Sequence, residues 1–174
     1  MMLLNFPPIP RITPIPDDPT VWWDPYETMA RQAAEWTCSA CSLAWVERSS
    51  GVNPAAYEWS AVNEIGYDNN INQTWGLMDG SGSQLARVLR SYGLTVTQVD
   101  YPSFDQICEY SKTSLGAMGG ANWYHWVAIR GYTDEHPGIL FIANSAPGYK
   151  GIQNSLTREQ YNSLGGFRCL IVDQ

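Results

Sequence analysis

The order of the secondary-structure patterns is the feature that most constrains the fold of this chain. In the first half, the apolar residues of "SQLARVLRSYG" fall on one helical stripe that ends at a glycine. In the second half, "WYHWVAIRGY", "GILFIANS" and "FRCLIVD" are β-rich runs, and a Pro-Gly turn separates the first two. The segment "LTVTQVDY" alternates like a strand within the helical half. Helices followed by an antiparallel sheet predict an α+β fold.

Helix-start signals add three further helices to this prediction. Asn53 and Pro54 form a cap and a first helical position ahead of "AAYEWSAVNEI", and Gly66 supplies the stop. Two other segments begin with a capping box, in which a hydroxyl residue precedes a glutamine by three positions. These pairs are Ser103 with Gln106 and Thr157 with Gln160.

Length and composition predict one globular domain preceded by an arm. The chain has 174 residues, of which 44% are hydrophobic and 16% charged. Residues 1–20 are rich in proline, which predicts an extended arm that docks on its own body or on a protein partner. We expect residues 21–174 to form the single domain, with a helical half over about 21–113 and a sheet half over about 114–174.

The charge pattern excludes several classes of partner. The net charge is −7 and no stretch concentrates Lys or Arg, which disfavours nucleic acid and anionic membranes. We find neither a secretory signal nor a run of about 20 apolar residues, so we expect a cytoplasmic or virion-associated protein. The wide spacing of the four cysteines predicts free thiols. We expect neither a metal nor a cofactor.

The stretch "QAAEWTCSACSLAW" holds the best candidate for a reactive group. Thr37 is a favourable helix N-cap, which puts Cys38 in the first turn, where the helix dipole favours a thiolate. Cys41 lies one turn deeper, and we assign it to the core. A C-x-x-C redox pair is disfavoured because no strand precedes the motif, and zinc is disfavoured because no second close pair exists.

A nucleophilic cysteine needs a base and a group that orients the base. His136 lies in the turn "DEHPG", where we expect it to be exposed, so His125 is the candidate base. Pairing of the next strand would bring Asn144 beside it, to accept from Nδ1–H and leave Nε2 for the thiol. Gln32, six residues before Cys38, could donate to an oxyanion together with the Cys38 N–H.

These residues in this order resemble the papain-like cysteine peptidases. "Q-x5-C-S-A-C-S-L-A", followed by "HWVAIRGY" and "ANSAPGY", is most similar to the bacterial bacteriocin-processing (double-glycine leader) peptidases, over about residues 30–150. The resemblance implies Cys38 as nucleophile, His125 as base, Asn144 as orienting group and Gln32 as oxyanion donor. Ser39 stands where a glycine is common, and Asn144 stands where that group usually has Asp.

The predicted function is therefore a cysteine peptidase or amidase acting on a peptide or cell-wall-type amide bond. We expect Trp123 and Tyr124 to form subsite walls beside His125. Gly119 and Gly120 belong to a flexible approach to the strand or to a backbone surface that pairs with an extended substrate. Two alternatives stay open: a structural or binding subunit of a larger assembly, such as a phage virion or tail component, and an acyl transferase of the transglutaminase type.

Overall fold

The described residues are 29 and 31–173 of a computed structural model, and they form a set of helices around one antiparallel sheet. The predicted arm at residues 1–20 lies outside them. The helices are α1 (Cys38–Ser49), α2 (Glu58–Ile65), α3 (Ser83–Ser91), α4 (Phe104–Tyr110) and α5 (Arg158–Ser163). A short 3₁₀ helix covers Tyr149–Gly151.

The main sheet has six strands in the order β3-β8-β4-β5-β6-β7, and every neighbouring pair is antiparallel. The last strand of the described chain, β8, therefore lies inside the sheet, between β3 and β4. These strands are β3 (Thr95–Asp100), β4 (Leu115–Gly120), β5 (His125–Gly131), β6 (Ile139–Ala143), β7 (Ser155–Thr157) and β8 (Phe167–Asp173). A separate hairpin pairs β1 (Ile71–Asn72) with β2 (Gly76–Leu77).

Each face of the sheet carries its own hydrophobic core. Helices α1, α2 and α3 pack on one face, where they bury Leu43, Ile65 and Leu85 with residues of the sheet such as Leu170. Helices α4 and α5 cover the other face, where they bury residues such as Ile107 and Tyr161. Because both faces are covered, β4 and β5 are buried at every position. The structure confirms the predicted α+β class.

Most of the predicted elements are present. Both capping boxes form at the starts of α4 and α5, and α2 stops at Gly66. The expected start of α2 was wrong, because Asn53 and Pro54 lie in a turn and the helix begins at Glu58.

The prediction of a flexible approach around Gly119 and Gly120, over residues 116–122, was also wrong. These residues are largely β4, a central strand, and its glycines allow neighbouring groups to approach closely. A Cβ at Gly116, for example, would lie 2.1 Å from the carbonyl oxygen of Leu170. The glycines here are therefore explained by close packing of the sheet.

Candidate active site

A cleft of about 770 Å³ lies where the N-terminus of α1 meets the end of β4 and the start of β5. Cys38 and His125 both line this cleft. Helix α1 brings the thiol to the cleft because its body is buried against the sheet, leaving its first residue at the rim. The fold thus brings the predicted nucleophile and the predicted base, which are far apart in sequence, to one cavity.

Cys38 is the first residue of α1, and 9% of its surface is exposed. Its Sγ accepts a hydrogen bond from the backbone N–H of Trp126 at 3.4 Å. Burial raises the pKa of the thiol above its ordinary value of 9.0, and the N–H groups of Trp126 and Ser39 act in the opposite direction. The N–H groups at the helix start thus favour the thiolate, as expected, but burial has the larger effect on the pKa, so a base is needed to help remove the thiol proton.

The loop before Cys38 is fixed by a buried carboxylate. Thr37 stands at the N-cap position of α1, but its hydroxyl makes no capping bond: its single proton is shared between the Ala34 carbonyl, at 2.7 Å, and a carboxylate oxygen of Glu58. Glu58, the first residue of α2, also accepts from the Ala33 N–H with both oxygens, at 2.9 and 3.0 Å. Burial raises the pKa of Glu58 and these hydrogen bonds oppose that shift. Helix α2 thereby determines where α1 begins.

His125 and Asn144 are hydrogen-bonded, with Nε2 of the imidazole 2.8 Å from Oδ1 of the amide. Asn144 is fully buried, and its orientation is fixed because Oδ1 accepts from the Ala146 N–H at 3.0 Å while Nδ2 donates to the carbonyls of Ile152 and Gln153. Oδ1 is therefore an acceptor, so Nε2 of a neutral His125 carries the proton. The predicted use of the two ring nitrogens was wrong: Nδ1 is the nitrogen left to act as a base.

Aromatic rings hold the imidazole of His125 from two directions. The ring of Trp123 lies 5.0 Å away and the ring of Tyr149 5.6 Å away, both edge to face. Burial lowers the pKa of His125 below its ordinary value of 6.5, and the bond to Asn144 acts in the opposite direction. At neutral pH the imidazole is uncharged and can accept a proton.

Gln32 lies beside the residue that follows Asn144. Its Oε1 accepts from the Ser145 hydroxyl at 2.8 Å, and its backbone N–H donates to the Ser145 carbonyl at 3.0 Å. Its Nε2 donates to the carbonyls of Ala34 and Glu35 at 2.8 and 3.0 Å. Both amide hydrogens are thus engaged, so the predicted oxyanion role requires one of them to leave its carbonyl.

The residues predicted to bind substrate divide into two groups. Tyr124 is 83% exposed and lines the cleft, as do Gly119 and Gly120. Trp123 does not: its side chain is fully buried between His125 and Phe167, so the prediction of a subsite wall is corrected to a packing role. His136 is buried against Phe141, contrary to the exposure expected for a turn residue.

Several cleft residues carried no recognisable signal in the sequence. They come from the loop before α1, the hairpin β1–β2, the loop before α3, and the ends of β3 and β8. The strongest clue is Trp75, which is 77% exposed in the polar turn "NQTWG". They include the aromatic residues Trp36, Trp75 and Tyr101 and the charged residues Glu35, Asp79 and Arg168.

No protein-family model and no curated protein matches the chain at the level of sequence. Solved structures do match the fold. A double-glycine motif protease from an AMS/PCAT transporter, in complex with its leader peptide, is 16% identical with a TM-score of 0.59, and the match covers 83% of this chain and 89% of that one. The peptidase domain of Streptococcus ComA, a bifunctional ABC transporter of a quorum-sensing pathway, is 12% identical with a TM-score of 0.58, over 84% and 98%.

A putative C39-like peptidase from Bacillus anthracis is 13% identical, with a TM-score of 0.57 over 83% of this chain and 94% of that one. This chain has the papain-like fold of these peptidase domains. The match extends over nearly the whole length of each neighbour. Within residues 29 and 31–173, no helix has the length and apolarity needed to cross a membrane.

Proposed function

We propose that the protein is a cysteine peptidase in which Cys38 is the nucleophile and His125 the base. The observation that carries this proposal is the buried bond between His125 Nε2 and Asn144 Oδ1, because it leaves Nδ1 as a base in the cleft that Cys38 lines. A fold shared with peptidase domains supports the same assignment.

The proposed first step is attack of the thiol on the carbonyl carbon of a bound peptide. His125 Nδ1 takes the proton of the Cys38 thiol as the sulfur–carbon bond forms, and the carbonyl oxygen becomes an oxyanion. The N–H of Cys38 stabilises this oxyanion, joined by the Gln32 amide once it releases the carbonyl of Ala34 or Glu35. Asn144 holds the imidazolium in place through Nε2.

The second half of the reaction breaks the peptide bond and restores the enzyme. His125 gives its proton from Nδ1 to the leaving amine, and the carbon–nitrogen bond breaks to leave a thioester on Cys38. A water molecule, deprotonated by His125, then attacks the thioester. The products are a carboxylic acid and the free thiol, so protons balance over the cycle.

The proposed substrate is a peptide. One neighbour of the same fold is bound to a leader peptide, and the cleft here has glycine backbone at Gly119 and Gly120 alongside the aromatic ring of Tyr124. A panel for testing substrates should therefore contain peptides with and without a double glycine, together with peptidoglycan stem peptides.

The decisive experiment compares two cysteines of one helix. Cys38→Ala should abolish cleavage of any peptide in the panel that the wild type cuts, as read by mass spectrometry of the products. Cys41→Ala is the matched control, because Cys41 is buried one turn further along α1 and lies outside the lining of the cleft. We expect this control to retain cleavage.

The same variants allow a covalent test that needs no known substrate. A peptidyl chloromethyl ketone should add one label to the wild type, at Cys38, and His125→Ala should slow this labelling by about 10²-fold or more. Labelling of Cys41, Cys108 or Cys169 at the same rate, or cleavage that survives Cys38→Ala, would overturn the proposal.

A further inference from the structure

Trp126 occupies an unusual position between the base and the nucleophile. It directly follows His125 in β5, its backbone N–H donates to Cys38 Sγ at 3.4 Å, and its side chain is almost entirely buried in the core beneath α1. A backbone N–H keeps its hydrogen bond to a sulfur only if the backbone is held in place. The packing of the Trp126 indole therefore affects the hydrogen bond that Cys38 Sγ accepts.

Two glycines make room for this indole. A Cβ added at Gly119, the residue paired with Trp126 across the sheet, would lie 2.4 Å from Cε2 of the ring. A Cβ added at Gly82, at the start of α3, would lie 2.6 Å from Cη2. Real Cβ atoms essentially never approach another atom so closely, so any side chain at either position would displace the indole.

These contacts explain why Gly119 lacks a side chain. Gly119 has an ordinary extended conformation, so nothing in its backbone demands glycine, whereas Gly82 also has a positive φ of 80°. The space above Gly119 is filled by the protein's own tryptophan. The glycine contributes backbone to the cleft wall, and its missing side chain leaves room for Trp126.

We propose that Trp126 is a positioning residue for the nucleophile: its indole, seated against Gly82 and Gly119, fixes its own backbone N–H as the hydrogen-bond donor to Cys38 Sγ. The start of β5 then supplies two groups to one sulfur, the base from His125 and the donor from Trp126. The hydrogen bond is present whether or not the protein is an enzyme, but its role in catalysis rests on the proposed function.

The donor matters most when the thiol loses its proton. A hydrogen bond to a charged acceptor is roughly twice as strong as one between neutral groups, so the Trp126 N–H favours the thiolate that forms as His125 takes the proton. It offsets part of the opposing effect of burial on this sulfur. It also fixes the direction from which a carbonyl carbon can be attacked.

Selective labelling of tryptophan tests the hydrogen bond directly. The chain has eight tryptophans, so ¹⁵N-tryptophan gives a small set of backbone amide signals, and Trp126→Phe identifies the one that is lost. We expect the Trp126 amide proton to shift downfield as the pH rises through the ionisation of Cys38, with the midpoint found from the pH dependence of iodoacetamide labelling at Cys38. Cys38→Ala should remove this transition and leave any step caused by His125.

A pair of Trp→Phe variants tests the role of the indole. Trp126→Phe should raise the midpoint for Cys38 labelling by about one pH unit, which is about a tenfold slower reaction at a fixed pH below the midpoint. Trp45→Phe is the control, because Trp45 is buried in the same core and lies on the same helix as Cys38, although of the two only Trp126 lines the cleft. It should lower stability without moving the midpoint.

The glycine contact is tested by a double-mutant cycle. Gly119→Ala alone should raise the midpoint and lower stability, whereas Gly119→Ala combined with Trp126→Phe should recover much of the lost stability, because the phenylalanine ring is smaller than the indole and leaves the new Cβ more room. Additive losses of stability would contradict the contact.

The inference fails if the Trp126 amide signal does not follow the ionisation of Cys38. It also fails if the midpoint is the same in the wild type, Trp126→Phe and Trp45→Phe. Both readouts are independent of peptide cleavage. A protein that cuts no peptide but shows the coupled titration would overturn the proposed function and leave the hydrogen-bond assignment standing.

Discussion

Asn144 makes contacts that an aspartate at the same position could not make. Its Oδ1 serves His125 and the Ala146 N–H, while its Nδ2 donates to the carbonyls of Ile152 at 3.2 Å and Gln153 at 2.9 Å. A carboxylate would place its second oxygen against these two carbonyl oxygens. The amide therefore suits a site in which the group that orients the imidazole is also bonded to the loop after β6.

We predict that Asn144→Asp lowers the free energy of unfolding by about 1–3 kcal/mol, because two buried carbonyls lose their donor and face a carboxylate. Urea unfolding followed by tryptophan fluorescence measures this loss. Asn63→Asp, on the exposed side of α2, is the control and should change stability by less than about 0.5 kcal/mol. Equal stability of Asn144→Asp and wild type would contradict the role given to Nδ2.

Under the proposed mechanism, the pKa shifts of Cys38 and His125 predict how kcat/KM depends on pH. Burial lowers the pKa of His125 below 6.5 and raises that of Cys38 above 9.0. The acid limb of kcat/KM, where His125 becomes protonated and can no longer accept a proton, should therefore lie below pH 6.5. The alkaline limb, where the thiol proton needed by the leaving amine is lost, should lie above pH 9.0.

This prediction is checked by steady-state kinetics on any peptide that the protein cleaves. Asn144→Ala should move the acid limb to lower pH, since the bond from Nε2 supports the protonated imidazole. An acid limb above pH 6.5 in the wild type would mean that the burial of His125 does not control its ionisation.

At the scale of single residues, the sequence predicts which residue types form the site, but it does not predict how their side chains are oriented. The types and order of Gln32, Cys38, His125 and Asn144 suffice to name a candidate site. Which imidazole nitrogen faces Asn144 depends on strand geometry that no local pattern encodes. Trp123 was mistaken for a cleft residue because an aromatic next to a candidate base looks the same in sequence whether its ring points into the core or out of it.

At the scale of the elements, a buried pair of carboxyl groups joins α1, the helix that begins with Cys38, to its neighbours. Glu47 of α1 is fully buried and contacts the carboxyl of Glu64 in α2. Asn53 donates to Glu47 at 3.1 Å, and the hydroxyl of Tyr92, just after α3, donates to Glu64. Burial and the neighbouring Glu64 raise the pKa of Glu47 to about 8, with Arg48 and Asn53 acting in the opposite direction. The pair therefore holds a proton at neutral pH.

We predict that the contribution of Glu47 to the free energy of unfolding falls as the pH rises from about 4.5 to about 8. In this range the folded protein keeps the proton on Glu47 and the unfolded chain has lost it, so the contribution is complete below the unfolded pKa and is lost through the folded one. The slope is at most about 1.4 kcal/mol per pH unit. Chemical denaturation at a series of pH values measures it.

Glu47→Gln should flatten this dependence, because an amide keeps the size of the carboxylic acid without titrating. Glu135→Gln, in the exposed turn between β5 and β6, is the control and should leave the slope unchanged. The same slope in Glu47→Gln and wild type would show that Glu47 does not carry the proton.

Elements with local signals are the ones that sequence predicts well. The capping boxes of α4 and α5 are made within four consecutive residues, so their sequence is sufficient to place them. Strand β4 lacks such a signal, because "LGAMGG" reads as a loop until the close approach of Leu170 and Trp126 is known. The hairpin β1–β2 and strand β7 are too short to show a period.

At the scale of the whole molecule, the two hydrophobic cores share one sheet. We therefore expect the two cores to unfold together. We predict that Leu43→Ala in the core under α1 and Ile142→Ala in the core under α4 each lower the free energy of unfolding by about 2–5 kcal/mol. In both variants, tryptophan fluorescence and far-ultraviolet circular dichroism should report a single transition. Two separated transitions in either variant would contradict the shared sheet.

Strand β8 is the last strand in the described sequence, but it lies between β3 and β4 in the sheet. This strand is synthesised after every other strand described here, yet it fills the gap between β3 and β4. Until residues 167–173 have left the ribosome, β3 has no partner, β4 has only one, and Arg168 is missing from the wall of the cleft. The wall of the cleft is therefore complete only once β8 has been made and has inserted between β3 and β4.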